Sequence, residues 1–235
     1  MPVKRPQLVN GEIYHIVTRG VADTLIFKDE NDRYRAIFSL FEFNDLKPVL
    51  IRERRRARAR AKKIGKEDFS AKRDLLVEIF AFYFMSNHIH LLVRQIKEAG
   101  ITQFMRKFGA GYAYYFNKKY ARRGHLFQNR FRAIRIENNE QLKTVFVYMH
   151  TNGISLIEPK WKELGIKNPK KVIKFLENYK WSSYPDYLGK KNFPSVTERG
   201  FLLKVMGGKE GCRNFVNSWV KYKKEFRDWN SVSLE

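Results

Sequence analysis

Residues 84–94 read FMSNHIHLLVR, and they complete an apolar run, LVEIFAFYF, that begins at residue 76. Two apolar stretches of this length around a short MSN link predict an antiparallel hairpin, with strands at 76–84 and 88–94. Side chains two apart on a strand project from the same face, so we expect His88 and His90 to project together. The hairpin therefore places two imidazoles side by side in an otherwise apolar sheet.

The stretches on either side of this hairpin predict the remaining elements of an α+β domain. The predicted order is β-α-β-β-α-β-α, and its first six members match the ferredoxin-like antiparallel sheet with helices on one face. We expect Asp29 or Asn31 to cap the first helix, and Asn138 or Asn139 to cap the third, which should stop at Gly153. The predicted strands are 14–20 and part of 124–136, and the predicted helices are 28–45, 101–123 and 138–153.

The apolar residues Tyr34, Ile37, Phe38 and Phe41 recur at helical spacing, which predicts the buried face of the first helix. Tyr112 and Tyr115, on the second helix, are also expected in the core, although aromatic rings of this kind can stack on unpaired bases. Beyond residue 155 the chain is expected to form a small, mainly helical extension. The predicted domains are 1–155, with a basic insertion at about 47–74, and 156–235.

The composition indicates a folded protein with an affinity for polyanions. Of the 235 residues 43% are hydrophobic, while the formal net charge is +23. Such a charge favours nucleic acid first and an anionic membrane surface second. The single cysteine cannot form an internal disulfide, and no stretch is typical of a signal peptide or membrane span. We expect a soluble, cytoplasmic protein with no membrane partner.

Residues 52–73 form the most basic segment, with eleven Lys and Arg against three acidic residues. Such a run is either a solvated charged insertion or an arm that contacts phosphates, and the two readings are compatible in a nucleic-acid-binding protein. An interfacial membrane role is not favoured, because residues 52–60 lack a bulky apolar face.

His88 and His90 together make a chelating pair for a divalent ion, but two ligands are too few for a firm site. The third predicted helix offers Tyr148 and Asn152, which are four residues apart and so share one face. An Asn oxygen can bind a hard cation, and a Tyr hydroxyl can form a covalent intermediate. From the residues alone, the favoured interpretation is that Tyr148 packs in the core and Asn152 caps the helix end beside Gly153.

These motifs resemble those of the single-tyrosine HUH transposases, and most nearly the REP-associated tyrosine transposases. The resemblance covers roughly residues 12–189. It implies that His88, His90 and Asn152 bind a metal ion, Mg²⁺ or Mn²⁺, and that Tyr148 is the nucleophile. The chain departs from the family pattern at Gly153, where the family usually has Pro. The similar stretches are YHIVTRG (14–20), FMSNHIHLLVR (84–94), GHLFQNRFRAIRI (124–136), VYMHTN (147–152) and WSSYPDYLG (181–189).

The resemblance further implies cleavage and rejoining of single-stranded DNA through a 5′-phosphotyrosine intermediate, with a DNA hairpin among the expected ligands. His15 and His125 are expected to be structural, and His150 to point away from the site. Oligomeric state stays open between monomer and homodimer. Basic residues expected to contact DNA phosphates are Arg19, Lys107, Lys118, Lys119, Arg122, Arg123, Arg130 and Arg132, together with Arg135.

Two other functions remain open at this point. One is a domesticated relative that binds DNA or RNA without cutting it, although such a protein has no chemical need for His88, His90, Tyr148 and Asn152 together. The other is a metal-dependent hydrolase that acts on a nucleotide, in which water rather than Tyr148 attacks. A covalent protein–DNA adduct distinguishes the transposase from both.

Overall fold

The fold was analysed in a computed structural model that describes residues 6–63, 73–128 and 130–225, with the side chains of Lys62, Lys224 and Glu225 left out. Its strands form one four-stranded antiparallel sheet, in the order β2-β3-β1-β4. This order, with a helix after β1 and another after β3, is the predicted ferredoxin-like arrangement. The strands are β1 (Ile13–Arg19), β2 (Val77–Phe84), β3 (His88–Gln95) and β4 (Arg132–Ile136).

The predicted α+β fold class is therefore confirmed, as is the helical character of the C-terminal extension. The helices are α1 (Glu30–Phe43), α2 (Ile51–Lys63), α3 (Gly100–Lys119), α4 (Asn139–Thr151), α5 (Trp161–Leu164), α6 (Pro169–Asn178), α7 (Tyr184–Tyr187), α8 (Gly200–Met206) and α9 (Gly208–Glu225). The basic insertion forms α2, while its residues 64–72 lie outside the described part of the chain.

The helix starts follow the capping chemistry expected from the sequence. The Asp29 side chain accepts from the backbone N–H of Asp32, which answers through its own carboxylate in a capping box. Asn138 caps α4 in the same way, by accepting from Gln141 N–H at 2.8 Å. The end of α4 differs from the prediction, because a 3-10 turn, Asn152–Leu156, continues the helical path through Gly153.

The buried face of α1 was only partly predicted. Ile37 is buried as expected, but Tyr34 is exposed and Phe38 and Phe41 are half-buried. Fully buried apolar side chains lie one position earlier, at Ala36 and Leu40, directly before Ile37 and Phe41. The two aromatic rings at 38 and 41 instead lie beneath arginines of α2, so a neighbouring helix decided which face of α1 is core.

The chain forms two compact units. The first contains residues 1–79, 86–88 and 93–135, and the second contains 80–85, 89–92 and 136–235. In the first unit, the buried Asp32 of α1 accepts hydrogen bonds from Tyr115, Lys119 and Tyr120, which ties α1 to α3. The division predicted after residue 155 concerns the extent of a catalytic domain, and it stays a prediction.

In the second unit, the backbone of residues 80–84 is held by tyrosines from the C-terminal part of the chain. The hydroxyl of Tyr187 donates to the carbonyl of Phe80 at 2.7 Å, and that of Tyr179 donates to the carbonyl of Phe84 at 2.9 Å. Tyr187 belongs to the segment WSSYPDYLG (181–189), which carries part of the family resemblance. This segment therefore helps to hold the backbone of β2 in place. Helix α4 packs against α8 and α9 in the same unit.

Candidate functional site

His90 and Asn152 meet in the second unit, although 62 residues separate them in the chain. The side-chain amide nitrogen of Asn152 lies 2.7 Å from Nε2 of His90. The amide oxygen and nitrogen of Asn exchange places when the group turns over, so either atom can occupy that position. Two atoms that can bind a divalent cation therefore converge on one point.

Tyr148 lies beside the same histidine. Its ring centroid is 6.0 Å from that of His90, and the two planes meet at 84°. Tyr148 is half-buried, whereas its neighbours Val147 and Met149 are buried. Because Asn152 follows four residues later, its backbone N–H donates to the carbonyl of Tyr148 and closes the last turn of α4. One helix end thus presents both side chains to His90.

His88 opens strand β3 and lies two residues before His90, so the alternation of a strand directs both side chains to one face. Within the first unit, Nδ1 of His88 is 2.7 Å from Oδ1 of Asn87. An oxygen in this position favours the tautomer with the proton on Nδ1, which leaves the lone pair of Nε2 available.

Asn87 is itself held by Asp23, in a network that the sequence did not reveal. The amide of Asn87 donates to Oδ1 of Asp23 at 3.3 Å, and the same carboxylate oxygen pairs with Arg19 at 3.1 Å. Asp23 and the preceding Ala22 both adopt positive φ angles, of 54° and 48°, which non-glycine residues rarely do. The only signal in the sequence is that Asn87 directly precedes the first histidine.

Gly153 fits a specific neighbour in the second unit. A Cβ atom on this residue would collide with the hydroxyl oxygen of Tyr83. Tyr83 is fully buried and stacks on Tyr179 with ring centroids 5.0 Å apart, so it has little freedom to move. The Pro that the family usually has after the Asn would meet the same obstacle, which explains the departure in this chain.

His150 lies on α4, as Tyr148 does, but its side chain is buried among other aromatic rings. Its ring packs against Phe146 at 4.5 Å and Tyr184 at 5.3 Å, and neither ring nitrogen has a hydrogen-bond partner in the described part of the chain. Burial lowers the pKa of His150 to about 3. Burial likewise lowers the pKa of His15 to about 4, whereas His125 is exposed.

Several of the basic residues expected at DNA are engaged within the protein. Lys107 donates to the carbonyls of Asp45, Leu46 and Lys47, and Lys119 pairs with Asp29 and Asp32 at 2.6 and 2.7 Å. Arg122 bonds to Asn117 and Gly124. Lys118, Arg123, Arg130 and Arg132 are exposed. The DNA-contact assignment stays a prediction for the whole set.

The residues present fit a divalent cation through their donor chemistry. Imidazole nitrogen is a common ligand of first-row divalent ions, and an amide oxygen also suits harder ions such as Mg²⁺ and Mn²⁺. Among the described residues, no group of three or more His, Cys, Asp or Glu is placed to hold a metal ion. The Asn152 amide, which lies against Nε2 of His90, is the candidate for a further protein ligand.

Comparison with known proteins supports the resemblance that the motifs suggested. Residues 49–152 match the sequence model of the family described as IS200-like transposases. That span includes His88, His90, Tyr148 and Asn152, and the resemblance to this transposase family is confirmed. A search of curated proteins finds no match.

Among solved structures, a REP-associated tyrosine transposase bound to a REP hairpin aligns with this chain at 12% sequence identity and a TM-score of 0.39. The alignment covers 85% of this chain and 96% of that one. In the described part of the chain, no helix has the length and apolar character needed to cross a membrane.

Proposed function

We propose that this protein cleaves and rejoins single-stranded DNA, with Tyr148 as the nucleophile. The observation that carries the proposal is the convergence of Tyr148 and Asn152, from one helix end, on His90. A transposase-type function is supported by the family match to residues 49–152. A protein that only binds DNA has no chemical need for this arrangement.

In the proposed reaction, the Tyr148 hydroxyl attacks a backbone phosphorus in line with the bond to O3′. The phenol gives up its proton, the P–O3′ bond breaks, and O3′ takes up a proton to become a free hydroxyl. The DNA then remains attached through a 5′-phosphotyrosine link. A free 3′-OH can attack this link and restore both the phosphodiester and the tyrosine, so rejoining needs no external energy source.

His88, His90 and Asn152 would hold a divalent cation in this proposal. The cation would polarise the scissile phosphate and offset charge that develops on its oxygens. The protein's own contribution is to hold the ligands in place, through Asn87 for His88 and through the α4 helix end for Asn152. An unassisted tyrosine, with an ordinary pKa near 10, is a weak nucleophile at neutral pH.

The proposal is tested by forming the covalent intermediate. Purified protein and labelled single-stranded DNA hairpins of varied sequence are mixed with Mn²⁺ and separated on a denaturing gel. Tyr148→Phe is compared with wild type, and Tyr34→Phe is the matched control because Tyr34 is exposed on α1 and does not line a site proposed for DNA. We expect an adduct that requires metal, disappears in Tyr148→Phe and persists in Tyr34→Phe.

Trypsin then locates the adduct. Cleavage after Lys143 and Lys160 releases the peptide TVFVYMHTNGISLIEPK (144–160), whose only tyrosine is Tyr148. A nucleotide mass on this peptide assigns the nucleophile directly. Binding without any adduct would favour the non-cleaving relative, and cleavage that survives Tyr148→Phe would favour water as the nucleophile.

A further inference from the structure

Helix α2, the basic insertion, is attached to α1 by arginines on one of its faces. Arg54 and Arg58, four residues apart, pair with Glu42 at 3.8 and 2.5 Å, and Arg54 also pairs with Asp45 at 3.2 Å. Glu42 and Asp45 are each 1% exposed. These buried carboxylates fix the rotation of α2 about its axis, because residues four apart share one helix face. Arg52 and Arg56 are not held by these carboxylates and are exposed.

Three other arginines of α2 line a groove between α2 and α3 in the first unit: Arg52, Arg55 and Arg56. This insertion groove has a volume of about 900 Å³ and an apolar floor that includes Phe43, Ala110 and Gly111. Tyr114 lines it and is 70% exposed, which is high for an aromatic side chain. Its cationic lining residues are Arg35, Arg52, Arg55, Arg56 and Lys118, together with Lys107 and Lys119, which are engaged within the protein.

The positive charge of the insertion groove is not balanced locally. No Asp or Glu is among its lining residues in the described part of the chain. Arg52, Arg56 and Lys118 are exposed, and no ion pair occupies them among the described residues. Burial and the nearby Arg55 lower the pKa of Arg35. An anion in the groove would relieve this repulsion.

We propose that the insertion groove binds single-stranded DNA, with an unpaired base stacked on Tyr114 and backbone phosphates on Arg52, Arg56 and Lys118. The ligand alternates a planar apolar base with a phosphate, as the groove alternates an aromatic and apolar floor with a cationic border. The choice of DNA rests on the proposed function. The segment of α2 that borders the groove lies in the insertion, for which the family resemblance gives no role.

The test measures binding of fluorescent single-stranded oligonucleotides by anisotropy, in EDTA so that no cleavage occurs, at several salt concentrations. The double variant Arg52→Gln/Arg56→Gln removes two groove charges. The matched control Arg60→Gln/Lys63→Gln removes two exposed charges from the same helix, at positions that do not line the groove. Glutamine is a good helix former, so α2 should persist in both.

We expect the groove variant to bind about tenfold more weakly than the control. The slope of the logarithm of its binding constant against the logarithm of the salt concentration should be smaller by about 1.4, since each phosphate contact on a single strand contributes about 0.7 to that slope. Tyr114→Ala should weaken binding about tenfold, the loss of one stacked base, and leave the slope unchanged. Tyr114→Phe keeps the ring and should bind like wild type. An oligonucleotide lacking bases should not distinguish Tyr114→Ala from wild type.

Equal losses in the two double variants would overturn the proposal, because they would mean unspecific charge attraction. Wild-type binding by Tyr114→Ala would also overturn it, as would tighter binding of RNA than of DNA. Failure here is separable from failure of the proposed reaction. If binding depends on the groove but no Tyr148 adduct forms, the groove proposal stands and the proposed cleavage reaction is rejected. If an adduct forms but binding does not depend on the groove, the cleavage reaction stands and the groove proposal is rejected.

Discussion

The amide of Asn152 lies 2.7 Å from Nε2 of His90, so the end of helix α4 directly contacts strand β3. Asn152 is the residue with which Tyr148 shares a helix face, and Tyr148 also contacts His90. The geometry of the candidate site within the second unit thus depends on one strand residue and one helix end. Changes at that helix end should act on metal binding and on the position of Tyr148 together.

Asn152→Ala should remove metal binding while the fold persists. The substitution takes away the amide that contacts His90, so we expect affinity for Mn²⁺ to fall by more than about 100-fold, above the range found for outer-shell partners. Calorimetric titration with Mn²⁺ measures this. Thr144→Ala, at an exposed position on the same helix, should titrate like wild type. Unchanged affinity in Asn152→Ala would exclude Asn152 as a ligand.

Asn87→Ala should weaken metal binding less severely. Loss of the 2.7 Å contact to His88 frees the tautomer and rotation of that ring, and outer-shell changes of this kind typically cost about 10–100-fold in affinity. The same titration measures the loss. Ser86→Ala, one residue earlier, is the control, because the carbonyl of Ser86 rather than its side chain bonds to Ile26 and Phe27. An identical loss in both variants would point to the loop backbone instead.

Gly153→Ala should destabilise the protein by about 1–3 kcal/mol, the usual cost of an extra group in a packed interior. The added methyl group would collide with the hydroxyl of Tyr83, whose ring is held by Tyr179. Urea unfolding gives the change in free energy. Gly200→Ala is a matched control, because nothing lies within 4 Å of a Cβ atom there. The prediction fails if both variants unfold at the same urea concentration.

Stability should fall as the pH drops from about 6.5 toward 4, because two buried histidines resist protonation. The folded-state pKa is about 3 for His150 and about 4 for His15, both below the ordinary value of 6.5. Between these values the unfolded chain binds more protons than the folded one. Each histidine therefore lowers the free energy of unfolding by up to about 1.4 kcal/mol for each pH unit of acidification. Above pH 6.5 both states are neutral, and the penalty disappears.

Urea unfolding across this pH range measures the slope. His150→Phe replaces the imidazole with a ring that does not titrate. The slope of its free energy of unfolding against pH should therefore be smaller than that of wild type by the equivalent of about one bound proton. A slope that is unchanged in His150→Phe would mean that His150 becomes protonated in the folded state.

Lys119→Met should affect stability more than DNA binding. Lys119 pairs with the buried carboxylate of Asp32 at 2.7 Å. Removing one partner of a buried pair typically costs about 3–5 kcal/mol, and we expect about 1–3 here because Tyr115 and Tyr120 still donate to Asp32. Lys118→Met, at the adjacent exposed position, should change the free energy of unfolding by less than about 0.5 kcal/mol. Its effect should appear in the affinity for single-stranded DNA.

Features that depend on local physical chemistry could be predicted from the amino-acid sequence. Strand alternation placed His88 and His90 on one face of β3, and helical spacing placed Tyr148 and Asn152 on one face of α4. The caps at Asp29 and Asn138 followed from side chains that can accept from free N–H groups. The order of strands and helices was sufficient to predict the ferredoxin-like sheet.

Which of these residues contact one another could be seen in the tertiary structure alone. Nothing local in the sequence specifies that Asn152 reaches His90, that Gly153 makes room for Tyr83, or that Lys119 is held by Asp32 while Lys118 stays exposed. Each depends on the distance between segments far apart in the chain, and that distance is set by packing of the whole core. The residue types of the candidate site could therefore be predicted from local sequence patterns, whereas the contacts between them depend on how the whole chain packs.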